Sequence, residues 1–494
     1  MKAATTLDER LRTVTTGSKI HRAVVKAAAV TQLALAAGIT CLAVGTFSSA
    51  ASAGEASQGS EETAFWQFAP TPPMGWNSYD CWGTSVTEDQ VLANAQYMQT
   101  HLLSHGWKYV VIDARWYDSV SPSDDRDFNK QRAGAKLFAD QWGRLIPAVN
   151  RFPSADNDQG FKPLADRLHA MNLRFGFHMM RGIPRQAVNA KTPIADSNFT
   201  AADAGDPKNI CSWCPDMYGV RNNAAGQAWY DAMFKLYASW GLDFIKVDDL
   251  SRPYHAEEIE MIRKAIDKCG RPIVLSSSPG PTDLKRAEHV MNHTNQWRVS
   301  GDFWDRWKDL DHQFDLLAQW TRYAGPGHFP DADMIPFGHI GIKCTIAGKE
   351  RQTRFTHQEQ RTLMSLWSLA SSPLMLGNHL PDTDEWTLSL LTNDGVLAID
   401  QDPLGQAATR VTQKGKFEVW VKPLKDGSKA VGLFNRGDDA AVVDVDWTTA
   451  GVNGKQTIWD VWQSKSLGDF DQKFSATINP HDVVLLRLTP SSSR

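Results

Sequence analysis

Along the first two thirds of the chain, two hydrophobic textures alternate. Short runs of apolar, β-branched and aromatic residues end in charge, and stretches with apolar positions three and four apart follow them. The short runs at 74–79, 109–116, 174–180, 244–250, 272–278, 297–303, 328–334 and 373–379 read as strands. The stretches between them read as helices. Thr87-Glu88-Asp89-Gln90 has the form of a capping box, Val91, Ala95, Met98 and Leu102 then make one face, and Gly106 stands past the last turn. Strand–helix alternation of this extent predicts an α/β fold, a (β/α)8 TIM barrel over 65–400. Two connections, 119–136 and 181–220, are too long for simple links. Loops of that length at the strand ends of a barrel shape substrate sites. From 401 the texture changes to short runs at 417–421, 430–434, 441–445, 456–459 and 483–488 with Gly, Asp and Asn turns between them. That pattern predicts a C-terminal antiparallel β-sandwich domain over 401–494.

The N-terminus has a different character. Lys19, Arg22 and Lys26 precede an apolar run that reaches about Val44, and small residues follow to Ala51-Ser52-Ala53, an A-x-A cleavage pattern. Residues 1–53 therefore read as a signal peptide, and 54–64 as a polar linker. The expectation is a secreted or periplasmic chain with no membrane contact after cleavage. Five cysteines follow the cleavage pattern: Cys81, Cys211, Cys214, Cys269 and Cys344. The C-x-x-C at 211–214 has no second ligand pair for zinc and no thioredoxin-like context, so it reads as a short loop disulfide.

Composition narrows the function classes. The 494 residues carry a net charge of −4, with no basic surface for nucleic acid. There are 19 tryptophans, whose flat faces suit sugars, although most would serve the core. No H-E-x-x-H occurs, and no metal or cofactor is expected. The partner expected is an oligosaccharide or glycan; nothing in the sequence bears on oligomeric state.

Candidate chemistry lies where the strands end. In Phe-Ile-Lys-Val-Asp-Asp-Leu, at 244–250, the period of two points Lys246 and Asp248 one way and Asp249 the other. The second strand ends in Asp113. The sixth offers Arg298, Ser300 and Asp302 on one face, and the seventh offers Asp331 and Asp333. One such charge would cap a helix or pair at the surface. Charges recurring at the same end of successive buried strands mark a functional barrel mouth. Two chemistries fit: a Schiff base on Lys246, as in an aldolase, or glycoside hydrolysis by paired carboxylates. An acid two residues from Lys246 opposes the lowered pKa that a Schiff-base lysine needs. A barrel without turnover, acting as a sugar-binding protein, is the remaining alternative.

Met74-Gly75-Trp76-Asn77-Ser78, Lys246-Val247-Asp248, Trp297-Arg298-Val299-Ser300-Gly301-Asp302 and Asp331-Ala332-Asp333-Met334 resemble, in order and spacing, the motifs of glycoside hydrolase family 27. Its members are retaining α-galactosidases and their relatives. The resemblance runs from about Pro70 to the C-terminus. It implies Asp248 as nucleophile and Asp302 as general acid/base, and it implies Asp113, Lys246, Arg298 and Asp333 at sugar hydroxyls. Trp76, Tyr79, His178 and Ser278 complete the expected substrate contacts. The implied activity is release of terminal α-D-galactosyl residues. There are departures from the family pattern. Ala114 stands where α-galactosidases carry a second aspartate reading the O4/O6 end of galactose, His178 where they offer an aromatic, and Ser276-Ser277-Ser278-Pro279 where they often have Cys-Glu-Trp. Ser278 resembles α-N-acetylgalactosaminidases. The run 175–182 and Ser-Ser-Pro-Gly resemble β-L-arabinopyranosidases, whose sugar is galactose without C6.

Overall fold

The structure is a computed structural model that describes residues 63–119 and 137–491. The signal segment 1–53, the linker up to residue 62 and nearly all of the polar excursion 119–136 lie outside the described residues.

Eight parallel strands form one sheet: β1 (Met74–Asn77), β2 (Tyr109–Ile112), β3 (Arg174–Met180), β4 (Phe244–Asp248), β5 (Val274–Ser277), β6 (Gln296–Arg298), β7 (Phe329–Asp331) and β8 (Leu374–Leu376). Their order around the sheet follows the chain, with β8 beside β1. A single parallel bridge, Ile335–Leu376, joins the β7 side to β8 and closes the ring. Helices α1 (Glu88–His101), α2 (Lys162–Ala170), α3 (Ala224–Ser239), α4 (Ala256–Lys268), α5 (Ala287–Met291), α6 (Trp307–Trp320) and α7 (His357–Ala370) connect successive strands. The α/β barrel expected from the sequence is therefore present.

Local chemistry accounts for the elements. The Thr87 amide donates to Gln90 Oε1 at 2.9 Å, and Val91, Ala95, Met98 and Leu102 are fully buried, as the apolar spacing requires. On β4, Ile245 and Val247 pack outward with the helices, while Phe244 joins Tyr109, Val111, Val274 and Phe329 in a plug inside the barrel. Lys246 and Asp248 continue the inward face above that plug. Gly75 is required at the β1–β2 approach, because a Cβ there would sit 2.2 Å from the Tyr109 carbonyl oxygen.

After α8 (Glu385–Leu391) and α9 (Asp394–Asp400) come eight antiparallel strands: β9 (Thr409–Lys414), β10 (Phe417–Pro423), β11 (Lys429–Asn435), β12 (Ala441–Asp446), β13 (Gln456–Asp460), β14 (Lys465–Phe470), β15 (Lys473–Ile478) and β16 (Val483–Pro490). One sheet has the order β9-β10-β11-β16-β13-β14, and β12 pairs with β15. Val419, Val431, Leu433 and Leu486 face Val443, Val445 and Phe474 in the sandwich core. The alternate residues Trp420, Ala430, Phe434 and Leu485 belong to the barrel's own core. Phe314 of α6 meets Phe434 edge-on at 5.0 Å between ring centroids. Lys422, fully buried, donates to the Ser368 carbonyl and to Ser371 Oγ at the end of α7.

The disulfide expected at Cys211–Cys214 is not formed, and no disulfide joins any of the five described cysteines. Cys211 and Cys214 each meet a carboxylate instead. Cys214 Sγ lies 3.7 Å from Asp216 Oδ2, and the Cys211 thiol bonds Asp249. Burial, reinforced by Asp249, pushes the Cys211 thiol up to about 12, which keeps it protonated as a donor. No helix among the described residues is long and apolar enough to cross a membrane.

Candidate active site

At the C-terminal mouth of the barrel lies a cavity of about 380 Å³. Asp113, Lys246, Asp248, Arg298, Asp302 and Asp333, all expected there, line it together with Tyr79 and Ser278. Each arrives from the end of a strand or from the turn just past it, which is how a barrel gathers distant residues.

Asp113 is anchored on three sides. Its Oδ2 accepts from Asn77 Nδ2 at 2.8 Å and from Lys246 Nζ at 2.9 Å, and its Oδ1 accepts from the Ala114 amide. Burial pushes this carboxyl up, but Lys246 and His178 outweigh it and hold the pKa below the usual range. Lys246 is desolvated too, yet Asp113 and Asp248 keep it firmly protonated. A nucleophilic amine is thereby disfavoured, which argues against the aldolase alternative.

Asp248 takes a 2.8 Å hydrogen bond from His178 Nε2 on Oδ2. Oδ1 makes no hydrogen bond of normal geometry, and the Ser278 hydroxyl is a polar neighbour of the carboxylate. Burial again pushes upward, and His178, Lys246 and Ser278 reverse it, so the pKa lies far below the ordinary value. Asp248 is thus an anion whose Oδ2 is held by His178 and whose Oδ1 is buried without a hydrogen bond. Its side chain is 15% exposed, whereas that of Asp302, which lines the same cavity, is 62% exposed.

Arg298 joins the acid wall to the floor. Its Nη2 lies 2.6 Å from Asp333 Oδ2, 3.4 Å from Asp302 Oδ1 and 2.7 Å from the Gly301 carbonyl. Asp333, at φ 87°, also accepts from the Phe303 and Met334 amides. Burial lifts its carboxyl to about 6, with Asp302 and Asp331 adding to the rise and Arg298 opposing it. Asp248 and Asp302 therefore line one cavity in unlike surroundings, the first held as an anion by its buried neighbours and the second largely exposed.

Several expected contacts are placed elsewhere. Trp76 is fully buried with its indole bonded to the Asn378 carbonyl, because the period of two on β1 turns Met74 and Trp76 out to the helices. His178 is likewise fully buried and lies behind Asp248, off the cavity wall. Ser300 turns away to accept from Gln313 Nε2, since β6 ends at Arg298 and the alternation ends with it. Asp331 sits beneath the cavity, bonded to Gln296.

The residues that sequence reasoning missed include Asp80, Trp213, Arg252, Trp304 and Ile346. Asp80 is the most consequential. The first strand stops at Asn77, whose Oδ1 accepts from the Tyr79 amide at 2.9 Å, and a single helical turn, Tyr79–Trp82, swings Asp80 into the wall. An Asn-Ser pair closing an apolar run is a legible turn signal. Burial and Asp333 raise this carboxyl well above its ordinary value, and its Oδ2 has no hydrogen-bond partner. Asp80 thus presents the cavity with a carboxyl that holds its proton more tightly than an exposed one does.

Known proteins share this architecture. The family described as Alpha galactosidase A matches residues 218–402, and Alpha galactosidase C-terminal beta sandwich domain matches residues 414–488. The chain is 30% identical over 427 residues to an alpha-galactosidase of Cyamopsis tetragonoloba, across 85% of this chain and 87% of that one. A solved GH27 β-L-arabinopyranosidase from Geobacillus stearothermophilus superposes with a TM-score of 0.84 at 46% identity, covering 87% of this chain and 99% of that one. A variant of that enzyme, solved in complex with arabinose, matches with a TM-score of 0.83 at 47% identity, over 86% and 99% of the two chains.

Proposed function

Because the chain belongs to glycoside hydrolase family 27, we propose that it is a retaining exo-glycosidase whose preferred substrate carries a terminal β-L-arabinopyranosyl residue. The observation that carries the sugar choice is Ala114. It lines the cavity beside the anchored Asp113, so the wall there is a methyl group where a second carboxylate would meet a hydroxymethyl arm. A pentopyranose has no such arm. The 46% identity to a β-L-arabinopyranosidase, against 30% to an α-galactosidase, supports the same choice.

In the proposed reaction the Asp248 carboxylate attacks the anomeric carbon. As the carbon–oxygen bond to the leaving group breaks, Asp302 delivers a proton to that oxygen. The product is a glycosyl ester on Asp248. Asp302, now a carboxylate, takes a proton from water, whose oxygen attacks the same carbon and frees Asp248. Lys246, Asp113, Arg298 and Asp333 are charged groups placed to hold ring hydroxyls. Desolvation strengthens those contacts. The N-terminal segment, read as an export signal, puts this activity outside the cytoplasm.

The test is a panel of nitrophenyl glycosides. The β-L-arabinopyranoside should show the highest kcat/KM, followed by the α-D-galactoside, with the α-N-acetylgalactosaminide and α-glucoside far below. Asp248→Asn should abolish turnover without unfolding. If the α-galactoside is preferred, the sugar assignment is wrong and the second reading, an α-D-galactosidase, replaces it. Binding of sugar with no hydrolysis of any substrate would overturn catalysis itself.

A further inference from the structure

The chain lacks H-E-x-x-H, but His289-Val290-Met291-Asn292-His293 has the i, i+4 spacing that sets two imidazoles on one side of a helical turn. His289 is in α5 and His293 just beyond it. Their rings stack at 4.2 Å between centroids, 18° from parallel. Glu260 of α4 reaches across, with Oε1 3.2 Å from His289 Nε2. One ligand atom from each of the three lies within 4.8 Å of the other two, and all three side chains are partly buried.

The hydrogen bonds behind these rings set their donor capacity. His293 Nδ1 lies 2.7 Å from the His289 carbonyl. A carbonyl only accepts, so Nδ1 carries the proton and the neutral ring has a lone pair on Nε2. His289 Nδ1 lies 2.7 Å from the Tyr254 hydroxyl, which would accept from Nδ1–H once a metal replaces the Nε2 proton that faces Glu260. Each Nδ1 faces an oxygen and His289 Nε2 faces the Glu260 carboxylate, which matches the outer-shell arrangement of a metal site.

We propose that Glu260, His289 and His293 form a binding site for a divalent transition metal of the zinc type, separate from the sugar cavity. Two imidazole nitrogens and one carboxylate oxygen suit zinc, cobalt or nickel and disfavour magnesium or calcium. Three protein ligands leave one tetrahedral position to water. Metal binding replaces the direct His289–Glu260 contact and ties α4 to α5. Through the Tyr254 hydroxyl it also braces the turn at 251–254, whose Arg252 lines the sugar cavity.

Titration calorimetry and cobalt absorption on the chelator-treated full chain test the proposal. One equivalent of Zn²⁺ should bind and raise the melting temperature. Co²⁺ should give the d–d bands of nitrogen and oxygen ligation with no thiolate charge-transfer band. His293→Ala and Glu260→Gln should each weaken binding at least about tenfold, and Tyr254→Phe by about tenfold through the outer shell. Circular dichroism checks that the variants fold. Absence of binding, a thiolate band, or affinity unchanged in both His293→Ala and Glu260→Gln would overturn the site.

Discussion

Removing His178 isolates what Asp248, the proposed nucleophile, owes to its surroundings. The imidazole is fully buried, touches Asp248 Oδ2 at 2.8 Å and does not line the sugar cavity, so His178→Ala leaves the walls in place. A hydrogen bond to a charged group is worth about 1.5–3 kcal/mol, which corresponds to roughly a ten- to 150-fold change in rate if the ionised, oriented carboxylate is what reacts. The direction with pH also follows. Burial alone pushes Asp248 upward, and His178 is the foremost influence reversing it. Without the imidazole the carboxyl protonates at a higher pH, so activity on the acid side should fail earlier. The assay is kcat/KM for nitrophenyl β-L-arabinopyranoside across the pH range. The expected result is a loss within that span together with an acid limb displaced toward neutrality. His178→Gln, which keeps an N–H donor, should recover part of both. A variant that loses less than about threefold and keeps its acid limb would refute the argument.

Asp80→Asn should stabilise the protein increasingly as pH rises. The folded pKa lies well above the unfolded value of 3.8, so the folded state retains a proton that the unfolded chain gives up. That contribution is intact below about pH 4 and is lost as pH climbs toward the folded pKa; asparagine removes the loss. Melting curves at pH 4 and pH 7 should diverge, and parallel curves would contradict a raised Asp80 carboxyl. Gly280→Ala should cost about 1–3 kcal/mol in urea unfolding and lower turnover, because the new Cβ would lie 1.9 Å from the Ser300 carbonyl oxygen, on the turn that carries Asp302. Gly301→Ala, with nothing within 4 Å of its Cβ, is the matched control and should be nearly silent.

Strand positions are legible because burial on both faces leaves a dense apolar run. The run predicted at 174–180 is β3 itself, and the one at 244–250 overshoots β4 only by the turn after Asp248. The acidic strand ends are legible for a related reason: charge at the close of a buried run has little else to do. Three things are hidden. Periodicity does not say where a strand stops, so Ser300 falls on the wrong side in the sequence reading and Asp80 escapes it, while Trp76, expected at the sugar from the family resemblance, is turned to the helices by the alternation itself. The outer strands β9 and β14 are too exposed and charged to leave an alternation, with Thr409, Lys414, Lys465, Asp469 and their neighbours largely in solvent. Cys211 and Cys214 read as partners because spacing reveals nothing of Asp216 and Asp249, which the fold sets against their thiols.

The change of texture near residue 401 has the look of a seam between independent modules, but β10 and β11 serve two interiors at once. Severing the chain there would strip Phe314 of α6 and Leu369 of α7 of their cover, because Phe434 and Gly432 sit directly against them. Since α6 spans the interval between the strands that deliver Arg298 and Asp333, the terminal sheets act as a buttress for the catalytic mouth. Ancestry and engineering alike are then constrained to treat the two parts as one heritable unit.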